Sequence, residues 1–234
     1  MATALLDPKF GTSINQRFRA KRFKFFMSLL EKIKSDKPLK ILDLGGYERY
    51  WERMGYLGDD NVHITLLNLE KEITKNKNFS SVAGDATNLH QFKDNEFDIV
   101  FSNSMIEHLF SRESQQKMAD EARRVGKYYY IQTPNYYFPI EPHWLFPFFQ
   151  FFPFSLRVFL TRKFNLGNIG KRSKKEDAID IVNEIKLLTE SDMKKLFPDG
   201  KVYREMFAGL KKSITMYRFP EQYACQLGNG QFFC

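Results

Sequence analysis

The sequence predicts an α/β fold: a doubly wound, mostly parallel sheet of seven strands with an antiparallel edge hairpin and an aromatic and basic insertion after strand five. Three observations carry this. Short apolar runs of strand length alternate with segments of helical spacing between Leu39 and Gln132. Several of the runs end in Gly or small polar residues, where a strand feeds a tight turn. Two further strand-like runs follow one another near the end, the pattern of a hairpin. A chain of 234 residues can bury one sizeable core, so one domain with an insertion is expected.

The elements read in order. Asn15 to Lys34 is helical, with Phe18, Phe25, Phe26, Leu29, Leu30 and Ile33 at three- and four-residue spacing. Arg17, Lys21, Arg22, Lys24 and Lys32 lie between them. This predicts a helix packed on the domain with a solvated basic face, or a surface helix that meets anionic lipid. Lys37-Pro38 ends it. LKILDL (Leu39 to Leu44) is the first strand, running into Gly45-Gly46, and Tyr47 to Leu57 has helical spacing. His63 to Leu69, Phe79 to Ala83, Phe97 to Ser102 and Lys127 to Gln132 are strands two to five, with a helix over Ser111 to Val125 before the last. The pattern stops after Thr133-Pro134. Leu188 to Leu196 is a helix with a capping box, Thr189 and Asp192. Val202 to Phe207 and Ser213 to Arg218 form the edge hairpin. The chain therefore divides into a basic helical segment (1–36), an α/β core (37–134), an insertion (135–187), a closing helix with edge strands (188–220) and a tail (221–234).

Composition narrows the partners. Aromatic residues make up 16%, with 24 Phe and 11 Tyr, 13 of them concentrated between Tyr128 and Phe159. Arg157 to Lys175 then carries seven Lys or Arg and no acid. The net charge of +8 suits nucleic acid, an anionic membrane surface, an acidic substrate, or solubility alone. Cys225 and Cys234 give no disulfide framework or zinc pattern, and no metal-ligand set is read. MATALLDPKFGTS lacks the features of a signal peptide, and no apolar stretch reaches the ~20 residues of a membrane span. A cytoplasmic setting, with peripheral membrane contact, is the expectation.

Four strand ends carry residues suited to a ligand, since open parallel sheets bind beyond the carboxyl ends of their strands. Asp43 with Gly45 and Gly46 places a carboxylate beside backbone that a ligand can approach closely. Asn68, Leu69 and Glu70 end strand two, where a polar side chain meets ribose hydroxyls in dinucleotide folds. Asp85 and Ala86 follow strand three, and an Asp there can accept from an adenine amine. Ser102 and Asn103 end strand four, followed by Glu107-His108.

The ordered series ILDLGG, LLNLE, AGDATNL and FDIVFSNSMIEHL resembles the motifs of class I S-adenosylmethionine-dependent methyltransferases, in the small-molecule branch that includes ubiquinone-type enzymes. The resemblance covers about Lys37 to Pro134 and implies a Rossmann-like fold. It implies that Asp43, Gly45 and Gly46 contact the methionine part of the cofactor, Asn68 and Glu70 the ribose, and Asp85 and Ala86 the adenine. Ser102 and Asn103 would then line the cleft near the sulfonium. Two departures stand out: Tyr47 and Glu48 replace the expected third glycine region, and Asn68 stands where an acid is usual. His108 and His143 are the candidate bases for a hydroxyl or acidic-carbon acceptor. An aromatic insertion beside a cationic run suits a small acceptor that is apolar or lipid-linked. A nucleic-acid methyltransferase and an inactive methyltransferase-like binding module are the alternatives. Against the first, Ser102-Asn103-Ser104-Met105 is not a motif that grips a flipped amino base, so nucleic acid is the less favoured partner.

Overall fold

A computed structural model describes residues 14–33, 35–56 and 60–221. Readings made on the first 13 residues, on Lys34, on Leu57 and on the tail with Cys225 and Cys234 lie outside them. A seven-stranded sheet runs in the order β3-β2-β1-β4-β5-β9-β8. Its strands are β1 (Leu39–Leu44), β2 (Val62–Asn68), β3 (Phe79–Ala83), β4 (Phe97–Asn103), β5 (Gly126–Pro134), β8 (Lys201–Phe207) and β9 (Leu210–Arg218). The first five are mutually parallel, while β9 pairs antiparallel with β5 and with β8. The expected Rossmann-like, doubly wound sheet and its edge hairpin are both present. The hairpin turns through Ala208 and Gly209, both at positive φ. Strand order reverses between β1 and β4, which puts the ligand crevice of such a sheet above their carboxyl ends.

Alternation along the strands sends side chains into two cores. Ile41, Ile64, Leu66, Ile99, Phe101 and Tyr130 face α1 (Ile14–Leu30) and α2 (Glu48–Arg53). Leu42, Leu44, Leu67, Val100, Tyr129 and Ile131 face α3 (Arg112–Val125) and α6 (Glu190–Leu196). Helix α3 starts where Ser111 accepts a hydrogen bond from the Ser114 N–H at 3.0 Å. The Thr189–Asp192 capping box starts α6 as the sequence predicts.

The basic face of α1 is only partly solvated. Arg22 is 7% exposed, and its guanidinium donates to Glu205 of β8 at 2.8 Å. Phe26 packs edge-on to Phe101 and Tyr130, while Phe25 stacks on Tyr203 at 4.2 Å. The helix is therefore an integral layer of the sheet sandwich. Its polar face was misread at Arg22, because the buried acid it pairs with lies 183 residues away.

The insertion, residues 135–187, forms a folded cap. It holds a short hairpin, β6 (Ile140–Glu141) with β7 (Phe146–Pro147), then α4 (Phe154–Lys163) and α5 (Lys175–Glu184). Trp144, Phe149, Val158, Ala178, Val182, Ile185 and Leu187 make its own apolar cluster, with Trp144 stacked on Phe149 at 4.3 Å. The aromatic run thus splits in two. Part fills this core, while Phe148, Phe151, Phe154, Phe159 and Phe164 remain exposed.

Candidate active site

A cleft of about 380 Å³ opens at the switch point, lined by Asp43, Gly45, Gly46, Tyr47, Asn103 and Ser104. It begins with the turn after β1. Gly45 sits at φ +72, where a side chain is strained, and its N–H donates to the Leu67 carbonyl at 2.8 Å. A Cβ on Gly46 would fall on the Asp43 carboxylate. The turn is therefore folded tightly around that acid, and both glycines are sterically required. Asp43 is 1% exposed and accepts from the Trp51 indole N–H at 2.8 Å. Burial pushes its pKa up to about 7, and the Trp51 bond opposes the rise.

Asn68 donates from its amide to the Gly46 carbonyl at 2.8 Å, so the departure from an acid has a structural use: the amide braces the altered glycine turn. Leu69, 80% exposed, stands bare at the next strand tip. Glu70 is exposed beside it. Asp85 is exposed and accepts from the Thr87 N–H and hydroxyl, both at 2.8 Å. Two expectations need correction. Ala86 is buried in the α3-side core, so only its backbone can meet a ligand. Ser102 is fully buried and donates to the Leu44 carbonyl at 3.3 Å, which ties β4 to β1 and leaves Asn103 and Ser104 on the cleft wall. The period-2 alternation of a strand explains the shift by one residue.

The remaining cleft wall was not read from the sequence. Arg19 of α1 and Arg49, Tyr50 and Arg53 of α2 line it. Burial, then the neighbouring Arg22, lowers the Arg19 pKa. The i, i+4 spacing of Arg49 and Arg53 directly after the Gly-Gly turn was the available signal. Facing charges of both signs, Asp43 and the arginines, suit a zwitterionic ligand. An exposed apolar strand tip beside Asn68, Glu70 and Asp85 suits a nucleoside.

The two candidate histidines meet although 35 residues separate them, and His108 follows four residues after Ser104 of the cleft wall. Met105 packs against Gly45, and His108 follows in the single 3-10 turn Ile106–His108. His143 comes from the cap, and its Nε2 lies 3.2 Å from Nε2 of His108. His143 Nδ1 bonds Glu141 at 2.7 Å and His108 Nδ1 bonds Glu184 at 2.8 Å. Burial opposes protonation of His143, but Glu141, Glu107 and Glu184 outweigh it and raise its pKa. Glu107 is fully buried and accepts from Thr133 Oγ1 at 3.0 Å, and burial raises its pKa.

Residues 45–128 match a family described as a methyltransferase domain. No curated protein sequence matches the chain significantly. Among solved structures, a SAM-dependent methyltransferase from Archaeoglobus fulgidus superposes with a TM-score of 0.52 at 13% identity, over 89% of this chain and 95% of that one. The CurJ carbon methyltransferase superposes with a TM-score of 0.52 at 10% identity, covering 85% of this chain. This chain spans about half of the CurJ chain, 53%. Likeness at these identities carries the fold, and the matched domain falls on the strand tips that build the cleft.

Proposed function

We propose that the chain is a class I S-adenosylmethionine-dependent methyltransferase that transfers the methyl group to a small, apolar or lipid-linked acceptor at oxygen or carbon, a reading supported by the methyltransferase-domain match over residues 45–128. The observation that supports this is that His143 of the cap meets His108, in the turn that follows the cleft residues Asn103 and Ser104, at 3.2 Å.

S-adenosylmethionine supplies a methyl carbon made electrophilic by its sulfonium, and transfer by in-line displacement needs no covalent enzyme intermediate. The chain's residues fit that cofactor. Asp43 and the Arg19, Arg49 and Arg53 guanidinia offer opposite charges to its amino-acid end. Asn68, Leu69, Glu70 and Asp85 offer polar and apolar surface to its nucleoside. Glu141 holds the proton of His143 at Nδ1, which leaves Nε2 to take a proton from the acceptor. The exposed Phe148, Phe151, Phe154, Phe159 and Phe164 lie in the same cap as the seven cations between Arg157 and Lys175. Aromatic wedges with adjacent cations are the composition of a surface that meets anionic lipid.

Calorimetric titration with S-adenosylmethionine and with its demethylated product tests the cofactor reading, and both are expected to bind with micromolar affinity. A folded protein that binds neither is an inactive binding module. Co-sedimentation with vesicles of anionic phospholipid tests the surface. Equal recovery with neutral and anionic vesicles would remove the lipid part of the proposal. No described helix is long and apolar enough to cross a membrane.

A further inference from the structure

We propose that Glu107, His108 and His143 form a divalent transition-metal site that clamps the cap onto the α/β core. One ligand atom from each lies within 4.8 Å of the others. The two Nε2 atoms face each other at 3.2 Å. Each imidazole has its other nitrogen on a carboxylate, Glu184 for His108 and Glu141 for His143. That pairing places the ring protons on Nδ1 and turns two lone pairs toward one another. Such a contact is repulsive unless a cation lies between them. The carboxylate–histidine pairing is also how metal-binding imidazoles are oriented and made more basic.

Glu107 supplies the second half of the case. Its Oε1 is buried without a hydrogen-bond partner, and its Oε2 is held by Thr133. A buried carboxylate oxygen with no partner is costly, and a cation relieves it. Glu107, Glu141 and Glu184 together bring three carboxylates to two imidazoles. A shared proton offsets one of those charges, and a divalent ion offsets two.

The spacing of the two imidazoles fits an ion, and Glu107 lies within 4.8 Å to complete it. Two nitrogens each about 2.1 Å from a metal and about 100° apart lie about 3.2 Å from each other. Two imidazoles with a carboxylate select Zn²⁺, Co²⁺, Mn²⁺, Fe²⁺ or Ni²⁺, whereas Mg²⁺ and Ca²⁺ favour oxygen ligands. The ligands come from both units of the fold: Glu107 and His108 from the turn after β4, and His143 from the cap hairpin. An ion there joins the cap to the core. The His108 side chain is 32% and Glu184 30% exposed, which leaves one edge of the site open to water or to an acceptor oxygen. Use in catalysis rests on the proposed function, and binding does not. With the ion bound, both Nε2 lone pairs are occupied, and an acceptor hydroxyl on the ion ionises by releasing its proton to water at that edge.

The test uses the full chain stripped of metal by chelation and titrated with Co²⁺, then competed with Zn²⁺. A visible d–d spectrum, a single ion per chain at micromolar affinity or tighter, and a raised melting temperature are expected. Glu107→Gln and His143→Ala should weaken binding about 100-fold or more, and Glu184→Gln about 10- to 100-fold. His108→Asn replaces a part-exposed ligand and should weaken binding like the others. His90→Ala, at an exposed histidine outside the cluster, should leave binding unchanged. Melting in chelator shows which variants fold. No spectrum from the wild type, or binding unaffected by the folded ligand variants, overturns the site and leaves the imidazoles sharing a proton. S-adenosylmethionine titration of the same stripped protein reports separately on the methyltransferase reading.

Discussion

The switch-point cleft and the histidine cluster share one loop after β4, yet they are assembled in opposite ways. The cleft is made of backbone turns and near neighbours: Asp43, Gly45, Gly46 and Trp51 lie within nine residues, and Asn68 reaches across one strand to Gly46. The cluster is made of side chains from separate elements, with His108 bonded to Glu184 across 76 residues and to His143 across 35. A site built from strand tips follows once the sheet forms. A site built from converging side chains exists only when the cap has docked.

That contrast can be broken at three places, and the largest effect belongs to neither site. Arg22→Ala removes the guanidinium that pairs with Glu205 of β8, whose side chain is 1% exposed, and leaves that buried acid with the Ser213 hydroxyl at 3.1 Å and the more distant Lys212 at 3.9 Å. A loss of about 3–5 kcal/mol in urea unfolding is expected. Both sites should weaken together in this variant. Cleft and cluster losing function independently in Arg22→Ala would show that the α1 layer does not hold them in common.

Asp43→Ala separates the two. S-adenosylmethionine affinity should drop about 100-fold, the scale of a lost charged hydrogen bond in a buried site, while Co²⁺ binding at the histidines stays as in the wild type. Calorimetry for one ligand and absorbance for the other read the two outcomes on one sample.

The same acid sets a pH dependence. Its folded pKa is raised to about 7 from 3.8, so the folded state holds a proton that the unfolded chain releases. Stability therefore falls as pH climbs from about 4 to about 7, by on the order of a few kcal/mol, and is level above that. Cofactor affinity should run the other way, rising toward pH 7 as the ionised form becomes available to a cationic ammonium. Asp43→Asn should flatten both curves. A wild-type melting profile that is flat between pH 4 and 7 would contradict the burial of this charge.

The smallest change sharpens the cluster alone. In the metal-free protein, where His143 Nε2 is open to take a proton, Glu141→Gln removes the main charge that raises the His143 pKa, so the acid limb of methyl transfer should move to lower pH. The expected loss at neutral pH is about tenfold or less, with cofactor affinity unchanged. An acid limb that does not move would separate His143 from proton transfer.

Legibility in the sequence tracked locality. The strand at Leu39 to Leu44, the capping box at Thr189 and the glycine turn were readable because each is set by residues close together in the chain. Ser102 was placed in the cleft when it belongs to the sheet, a one-residue error that exchanges the two faces of a strand. Residues 135–187 read as an insertion with no elements assigned, because an aromatic stretch broken by prolines opens it, although Ala178 and Val182 show helical spacing along α5.

By itself the sequence determined the α/β class, the strand tips and the carboxylate and glycines at the first of them, because hydrophobic periodicity and turn chemistry act over a few residues. Only the tertiary structure decided that Arg22 is buried against Glu205 and that Asn68 braces the glycine turn. It alone decided, too, that Glu107, His108 and His143 converge within 4.8 Å. The physical reason is common to all three: each depends on a partner brought near by chain crossover and cap docking, and nothing in a local pattern specifies which distant side chain will arrive.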